Sequence, residues 1–220
     1  MRACCSQCPE IAGRFDRRIA DADRERYHQL GPGPTTRLIL QELGVETDPA
    51  GSLLDVGGGI GVIGLELLGT GLHQVTLVEA SPAYAAVAAE QFEARGVGDR
   101  LQCVVGDFAA MEQPAGADLV TLDRVVCCYP DAGRLLQQAA RCARRALALS
   151  YPRDRWYVRL GNGASNLLRL IRRVGFRTFV HPEAAIAGAL AAAGLRRARR
   201  RTTFVWCVEV WTRTPEGSEG

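Results

Sequence analysis

The chain has 220 residues and no lysine: all 27 of its cationic side chains are arginine. Chemistry that runs through a lysine Schiff base is therefore excluded. Neither sign of charge prevails, and a formal +3 is too small to imply a nucleic-acid partner. The apolar runs fall well short of a membrane span. No continuous apolar segment stands near the N-terminus, so a secretory signal is not expected. Without such a signal, the eight cysteines read as free thiols in a reducing cytoplasm. Cys127 and Cys128 adjoin one another in an apolar run, a poor arrangement for two structural bridges. The sequence is 47% hydrophobic and 23% charged with 24 glycines, which describes one globular domain with short appendages. A chain of this size buries roughly 70% of its unfolded surface, enough for a core without disulfides.

Residues 1–9 form a cysteine-rich tail, expected to be flexible. Residues 10–49 read as an N-terminal helical cap. Ile11, Phe15, Ile19 and Tyr27 follow a helical stripe, and Gly31-Pro32-Gly33-Pro34 interrupts it. Thr35 is expected to cap a second short helix that Gly44 stops. From residue 50 to 213 strands and helices alternate. Strands are expected at Ser52–Val56, Gln74–Val78, Leu101–Val105, Asp118–Leu122 and Ala146–Ser150. Helices are expected over 62–69, from Ser81-Pro82 to Gly96, over 132–146 behind Asp131, and over Pro182–Ala193. That rhythm implies a parallel sheet covered by helices on both faces. Arg196–Arg201 and Val205–Thr212 break it as an antiparallel hairpin, and 214–220 is a tail.

Leu54-Asp55-Val56-Gly57-Gly58-Gly59-Ile60-Gly61 lies where a strand meets a helix. Glycines there let a ligand approach the backbone closely, and the helix start offers free N–H groups. Gly59-Ile-Gly61-Val-Ile-Gly64 fits the dinucleotide fingerprint G-x-G-x-x-G. Asp55-Val-Gly57-Gly-Gly59-Ile-Gly61 instead resembles the first motif of class I S-adenosylmethionine (SAM) dependent methyltransferases. Asp55 favours the second reading, since a carboxylate beside a pyrophosphate is repelled but one beside an ammonium is attracted. Glu79 ends the second strand with two oxygens for ribose hydroxyls. Gly106-Asp107-Phe108 ends the third and resembles the adenine-binding motif of these enzymes. The resemblance covers residues 50–213. It implies a seven-stranded Rossmann-like α/β sheet with a C-terminal antiparallel hairpin. It also implies SAM as cofactor, held by Asp55, Gly57, Gly58, Gly59, Gly61, Glu79, Ala80, Asp107, Phe108 and Asp123. Asp107 would accept from the adenine amino group with Phe108 packed near the ring. Tyr129-Pro130 and the Tyr27–Gly31 region look like small-molecule methyltransferases of the magnesium-protoporphyrin and quinone type. Cys128 stands where those often have His, so no substrate carries over.

Methyl transfer is an in-line displacement that rests chiefly on orientation, and a general base is needed only when the acceptor must lose a proton. Tyr129 and His181 are the candidates for such a group. Tyr129 reads equally as a turn residue over the sheet, and His181 reads more readily as the cap of the helix at Pro182. Asp123 faces the acceptor or the cofactor, or else pairs with an arginine. The acceptor is expected to be small and hydrophobic. Residues 152–180 form an insertion rich in arginine, with Trp156, Tyr157 and several leucines. Its arginine-rich stretch 153–177 reads first as a helix on the sheet edge with arginines in water, and otherwise as a lid or a peripheral membrane contact. Cys4, Cys5 and Cys8 make an incomplete metal set, and no metal is expected. Cys103 and Cys207 fall on strands and read as small core hydrophobes, and Cys142 reads as the apolar face of a helix. Arg196–Arg201 has no interleaved aromatics, so a solvated face is expected rather than RNA. Base-amino and cytosine C5 methylation lack their Pro-Pro and Pro-Cys signatures after strand four. The remaining alternatives are a non-catalytic SAM-binding protein and, less favoured, an NAD-dependent oxidoreductase.

Overall fold

The alternation of apolar strands and helices closes into one sheet in the computed structural model, which describes residues 14–44 and 51–213. Helices α1 (Arg17–Leu30) and α2 (Pro34–Leu43) come first. They are followed by β1 (Ser52–Val56), α3 (Val62–Gly69), β2 (Gln74–Glu79), α4 (Pro82–Ala94) and β3 (Leu101–Val105). After these come β4 (Ala117–Leu122), α5 (Ala132–Cys142), β5 (Ala143–Pro152), α6 (Trp156–Ile171) and α7 (Glu183–Ala192). The chain closes with β6 (Leu195–Thr202) and β7 (Trp206–Arg213). The sheet order is β3-β2-β1-β4-β5-β7-β6. All pairs are parallel except those of β7, which runs antiparallel to both β5 and β6. This is the expected seven-stranded Rossmann-like sheet with its terminal antiparallel hairpin.

Period-two patterning divides the core. Leu54, Val120, Leu147 and Leu149 face α5 and α7, where Leu135, Leu136, Ile186 and Leu190 meet them. Leu53, Leu119, Ala146 and Ala148 face the other way, toward α1 to α4 with Ile39, Ile63, Val87 and Phe92. Truncating one of these buried leucines to Ala costs about 2–5 kcal/mol. α3 is apolar on nearly every side because it is sandwiched between sheet and cap.

Local signals set most boundaries. The Asp16 carboxylate accepts from Ile19 N–H at 2.9 Å and starts α1. The Ser81 and Asp131 side chains do the same for α4 and α5, with Pro82 at the first turn. Three of the local expectations fail. Thr35 does not cap α2: Pro34 has no N–H to lose and takes the first turn, so Gly33 is the cap and Thr35 is buried inside the helix. The helix expected over 132–146 ends at Cys142, because β5 begins at Ala143 and pairs with β4 on one side and β7 on the other. Cys103 is exposed, since β3 is an edge strand with little covering it; Cys142 and Cys207 are buried as expected.

At the opposite edge, β6 presents a largely exposed arginine face, as expected, and four of its arginines also reach acids. Arg197 and Arg200 pair with buried Glu209, and Arg199 and Arg201 with Glu42. A charged edge strand also discourages pairing with another chain. The insertion consists of α6 and a return segment. Val158 is the one fully buried residue of α6, so the helix does not pack its apolar face on the sheet edge as expected. Among the described residues no helix is long and apolar enough to cross a membrane. No group of three metal-ligating side chains gathers among them either. Cys4, Cys5 and Cys8, and the tails 1–9 and 214–220, lie outside the described residues.

Candidate active site

The carboxyl ends of β1, β2 and β4, where the strand order reverses, form the site; ligands bind at such a switch point in open α/β sheets. Asp55, on β1, is buried. Its Oδ1 accepts from the Thr121 hydroxyl of β4 at 2.6 Å, and its Oδ2 is buried without a hydrogen-bond partner. Burial pushes its carboxyl up to about 7, the charges of Asp123 and Glu79 add to the rise, and the Thr121 bond opposes it.

The chain then turns through Gly57, Gly58 and Gly59. Gly57 and Gly59 have φ of 61° and 60°, the left-handed region that L side chains avoid. A Cβ on Gly58 would come 2.4 Å from Asp55 Oδ2, and one on Gly57 would strike Val125 at 2.6 Å. Gly59 is different: its Cβ would lie 3.6 Å from the Tyr84 ring, in ordinary contact. Only the backbone conformation and the ligand space demand glycine there. Gly61, also at positive φ, starts α3 and packs against Phe92.

Glu79 holds this turn. Its Oε2 accepts from Gly59 N–H at 3.0 Å and its Oε1 from Ser81 N–H at 2.8 Å. Burial raises its pKa, and bonds from Ser81, Gly59 and Ala80 N–H groups oppose the rise. Ala80 lies half-buried between the carboxylate and the cap of α4. Asp107 caps a short 3-10 turn over Phe108–Ala110. Its Oδ1 accepts from Ala109 N–H at 3.1 Å and from the Tyr129 hydroxyl at 2.7 Å. That turn swings Phe108 under the sheet, where it is 1% exposed in the core.

Asp123 follows β4. Its Oδ1 accepts from the Ser150 hydroxyl at 2.5 Å and its Oδ2 from the Thr36 hydroxyl at 2.6 Å. It therefore does not pair with Arg124. Thr36 belongs to α2, so the cap fixes a carboxylate of the sheet. Arg124 has φ of 60° and donates its N–H to Ser150 Oγ at 2.8 Å; left-handed backbone outside glycine is a strain often stored at functional sites.

Asp55, Gly57 to Gly59, Asp123, Arg124, Tyr84 and the α1–α2 turn line a cavity of roughly 360 Å³, whereas Glu79, Ala80, Asp107 and Phe108 are not among its lining residues. That volume is in the usual range for a small-ligand pocket. Tyr84, whose hydroxyl donates to Asp23 at 2.5 Å, and the exposed arginines Arg26 and Arg37 also border it. Tyr129 and His181 are not among the described lining residues. The Tyr129 hydroxyl is drawn to Asp107, and His181 Nε2 donates to the Tyr129 carbonyl at 2.9 Å instead of capping α7. Sequence reasoning missed Thr36, Tyr84 and Arg37. Only Tyr84 carried a signal, three residues after the Ser81 cap and so in the first turn beside the glycines.

Against known proteins, residues 53–146 match the family described as "Methyltransferase domain". The matched segment runs from β1 into β5. No curated protein sequence matches the chain significantly. Among solved structures, magnesium protoporphyrin IX methyltransferase from Synechocystis, with S-adenosylhomocysteine (SAH) bound, superposes with a TM-score of 0.73 at 20% identity. It covers 93% of this chain and 98% of that one. An O-methyltransferase family protein from Burkholderia thailandensis gives 0.67 at 20% identity, over 93% of this chain and 63% of that one. SAM-dependent methyltransferases from Methanosarcina mazei give 0.64 at 14% identity, over 78% and 96%. Identities this low carry the fold, and the fold is the methyltransferase one throughout the sheet.

Proposed function

We propose that this chain is a methyltransferase that uses SAM to methylate a small, hydrophobic acceptor. The observation that carries the reading is the cluster at the ends of β1 and β2. It joins a buried carboxylate with one oxygen unpartnered, a glycine turn that Cβ atoms would fill, and Glu79 beneath that turn. This donor set fits SAM. An ammonium suits the unpartnered Asp55 oxygen, the glycine backbone admits close approach, and Glu79 offers acceptor oxygens for ribose hydroxyls. Asp107 is the acceptor for the adenine amino group, and Phe108 contributes through its backbone and by supporting the turn.

Bound SAM supplies a methyl group on a sulfonium, already electrophilic. The chain's own residues then bind, orient and exclude water. Asp123, locked by Thr36 and Ser150, and Arg124 with Tyr84 line the space where an acceptor would sit. Holding the acceptor in line is the main source of acceleration. Tyr129 and His181 act as positioning residues in this account: Tyr129 fixes Asp107, and His181 fixes the Tyr129 backbone.

The dinucleotide alternative is disfavoured by β7. A doubly wound nucleotide fold runs 3-2-1-4-5-6 with parallel strands, whereas here an antiparallel strand lies between β5 and β6. The test is SAH production with a panel of apolar small molecules bearing hydroxyl, amino or carboxyl groups. Acceptor-dependent SAH release supports the reading. SAM binding with no release across the panel favours a non-catalytic SAM-binding protein.

A further inference from the structure

Helix α6 is built inside out. Trp156, Leu160, Leu167 and Ile171 recur at spacings of four, seven and four, which puts them on one face. All four stand in solvent, 58% to 76% exposed, with Leu170 beside them. The opposite face turns polar groups inward. Asn162 and Asn166 donate to the Thr178 carbonyl at 2.9 and 2.7 Å, and Arg169 donates to the Thr178 hydroxyl at 2.9 Å. A helix that merely covered the sheet would have the reverse arrangement. The patch continues onto the β6–β7 turn, where Phe204 is 74% exposed. The Tyr157 ring stacks on Phe204 at 4.6 Å, and its hydroxyl donates to the Phe204 carbonyl at 2.8 Å. A contiguous apolar face of this kind marks an interaction surface.

The charge around the patch decides the occupant. Residues 153–177 hold seven arginines and one acid, Asp154. That is a local +6, against +3 for the whole chain, so the rest of the molecule is net negative. Arg155, Arg159, Arg172, Arg173 and Arg177 are exposed at the two ends of the helix. With 16 residues, α6 is about 24 Å long, too short to span a bilayer but suited to lie in its surface. We propose that α6 and the β6–β7 turn dock this protein on an anionic lipid surface. Trp156, Leu160, Leu167 and Ile171 enter the acyl boundary and the arginines meet headgroup phosphates. A second copy is a poorer occupant, because it would bring two strongly positive faces together. The docking stands independently of the methyl-transfer reading.

The test is co-sedimentation of the full chain with phosphatidylcholine vesicles and with vesicles containing phosphatidylglycerol. The expected result is binding to the anionic vesicles only, weakened by salt. The triple variant Leu160→Ser, Leu167→Ser, Ile171→Ser abolishes binding. Arg172→Gln and Arg173→Gln each weaken it roughly fivefold. Because all these side chains are exposed, far-UV circular dichroism of each variant is unchanged. The proposal is overturned by failure to bind anionic vesicles, by equal binding to neutral ones, or by binding that survives the triple variant. It is also overturned by concentration-dependent dimerisation that the triple variant removes in the absence of vesicle binding, which would assign the face to a second copy.

Discussion

Replacing Asp55 by Asn changes how stability depends on pH, in a direction the structure sets. Burial holds the Asp55 carboxyl at about 7, up from 3.8. A group whose folded pKa is raised gives its full contribution below the unfolded pKa and loses it as pH rises through the folded one. The stability at stake is therefore present near pH 4 and gone above pH 7. A shift of about three units corresponds to about 4 kcal/mol over the whole window. About 2–3 kcal/mol of that falls between pH 5 and pH 8. Asn cannot ionise. Its oxygen keeps the Thr121 bond, but its amide takes the unpartnered position, at about 1–3 kcal/mol. Urea denaturation at both pH values measures the difference. The wild type is expected to lose about 2–3 kcal/mol more than Asp55→Asn on going from pH 5 to pH 8. Parallel losses would refute the assignment of a raised pKa to this carboxylate. The same group gives a ligand signature: if the ammonium of SAH needs ionised Asp55, wild-type affinity is roughly tenfold weaker at pH 6 than at pH 8. The variant binds weakly at both.

Gly59→Ala is expected to keep the fold, because its Cβ meets only the Tyr84 ring at 3.6 Å. It costs about 1–2 kcal/mol for the left-handed backbone and weakens SAH binding; thermal unfolding with calorimetry separates the two effects. Glu79→Ala is expected to lose about 1–3 kcal/mol of SAH binding, and to destabilise the free protein as well, since Gly59 and Ser81 N–H lose their acceptor. Thr36→Val releases one oxygen of Asp123 and is expected to cost about 1 kcal/mol of stability, with a raised acceptor KM in a turnover assay.

The strand ends were legible because each carries local information. Ser81-Pro82, Asp131 and the glycines of residues 57–61 announce where strand becomes helix, and Asp55, Glu79 and Asp107 stand at fixed offsets from those points. The contacts that shape the site were not legible. Thr36 and Asp123 lie 87 residues apart, and no periodicity links a cap helix to a strand end. Tyr129 was read as a candidate at the reaction centre, but its hydroxyl is taken by Asp107, just past β3. Phe108 looked available because an aromatic after an acid suggests stacking, whereas the 3-10 turn buries it. For α6 the apolar spacing was readable but not the direction it faces. A stripe shows that one side is apolar, and only the Asn162, Asn166 and Thr178 bonds turn that side to solvent.

The central claim is that the turn between β1 and α3 holds SAM. Calorimetric titration of the purified chain with SAH, and separately with NAD, tests it most directly. The account predicts micromolar binding of SAH, lost or much weakened in Gly59→Ala, and no binding of NAD. Binding of NAD alone, or SAH binding unchanged in Gly59→Ala, would contradict it.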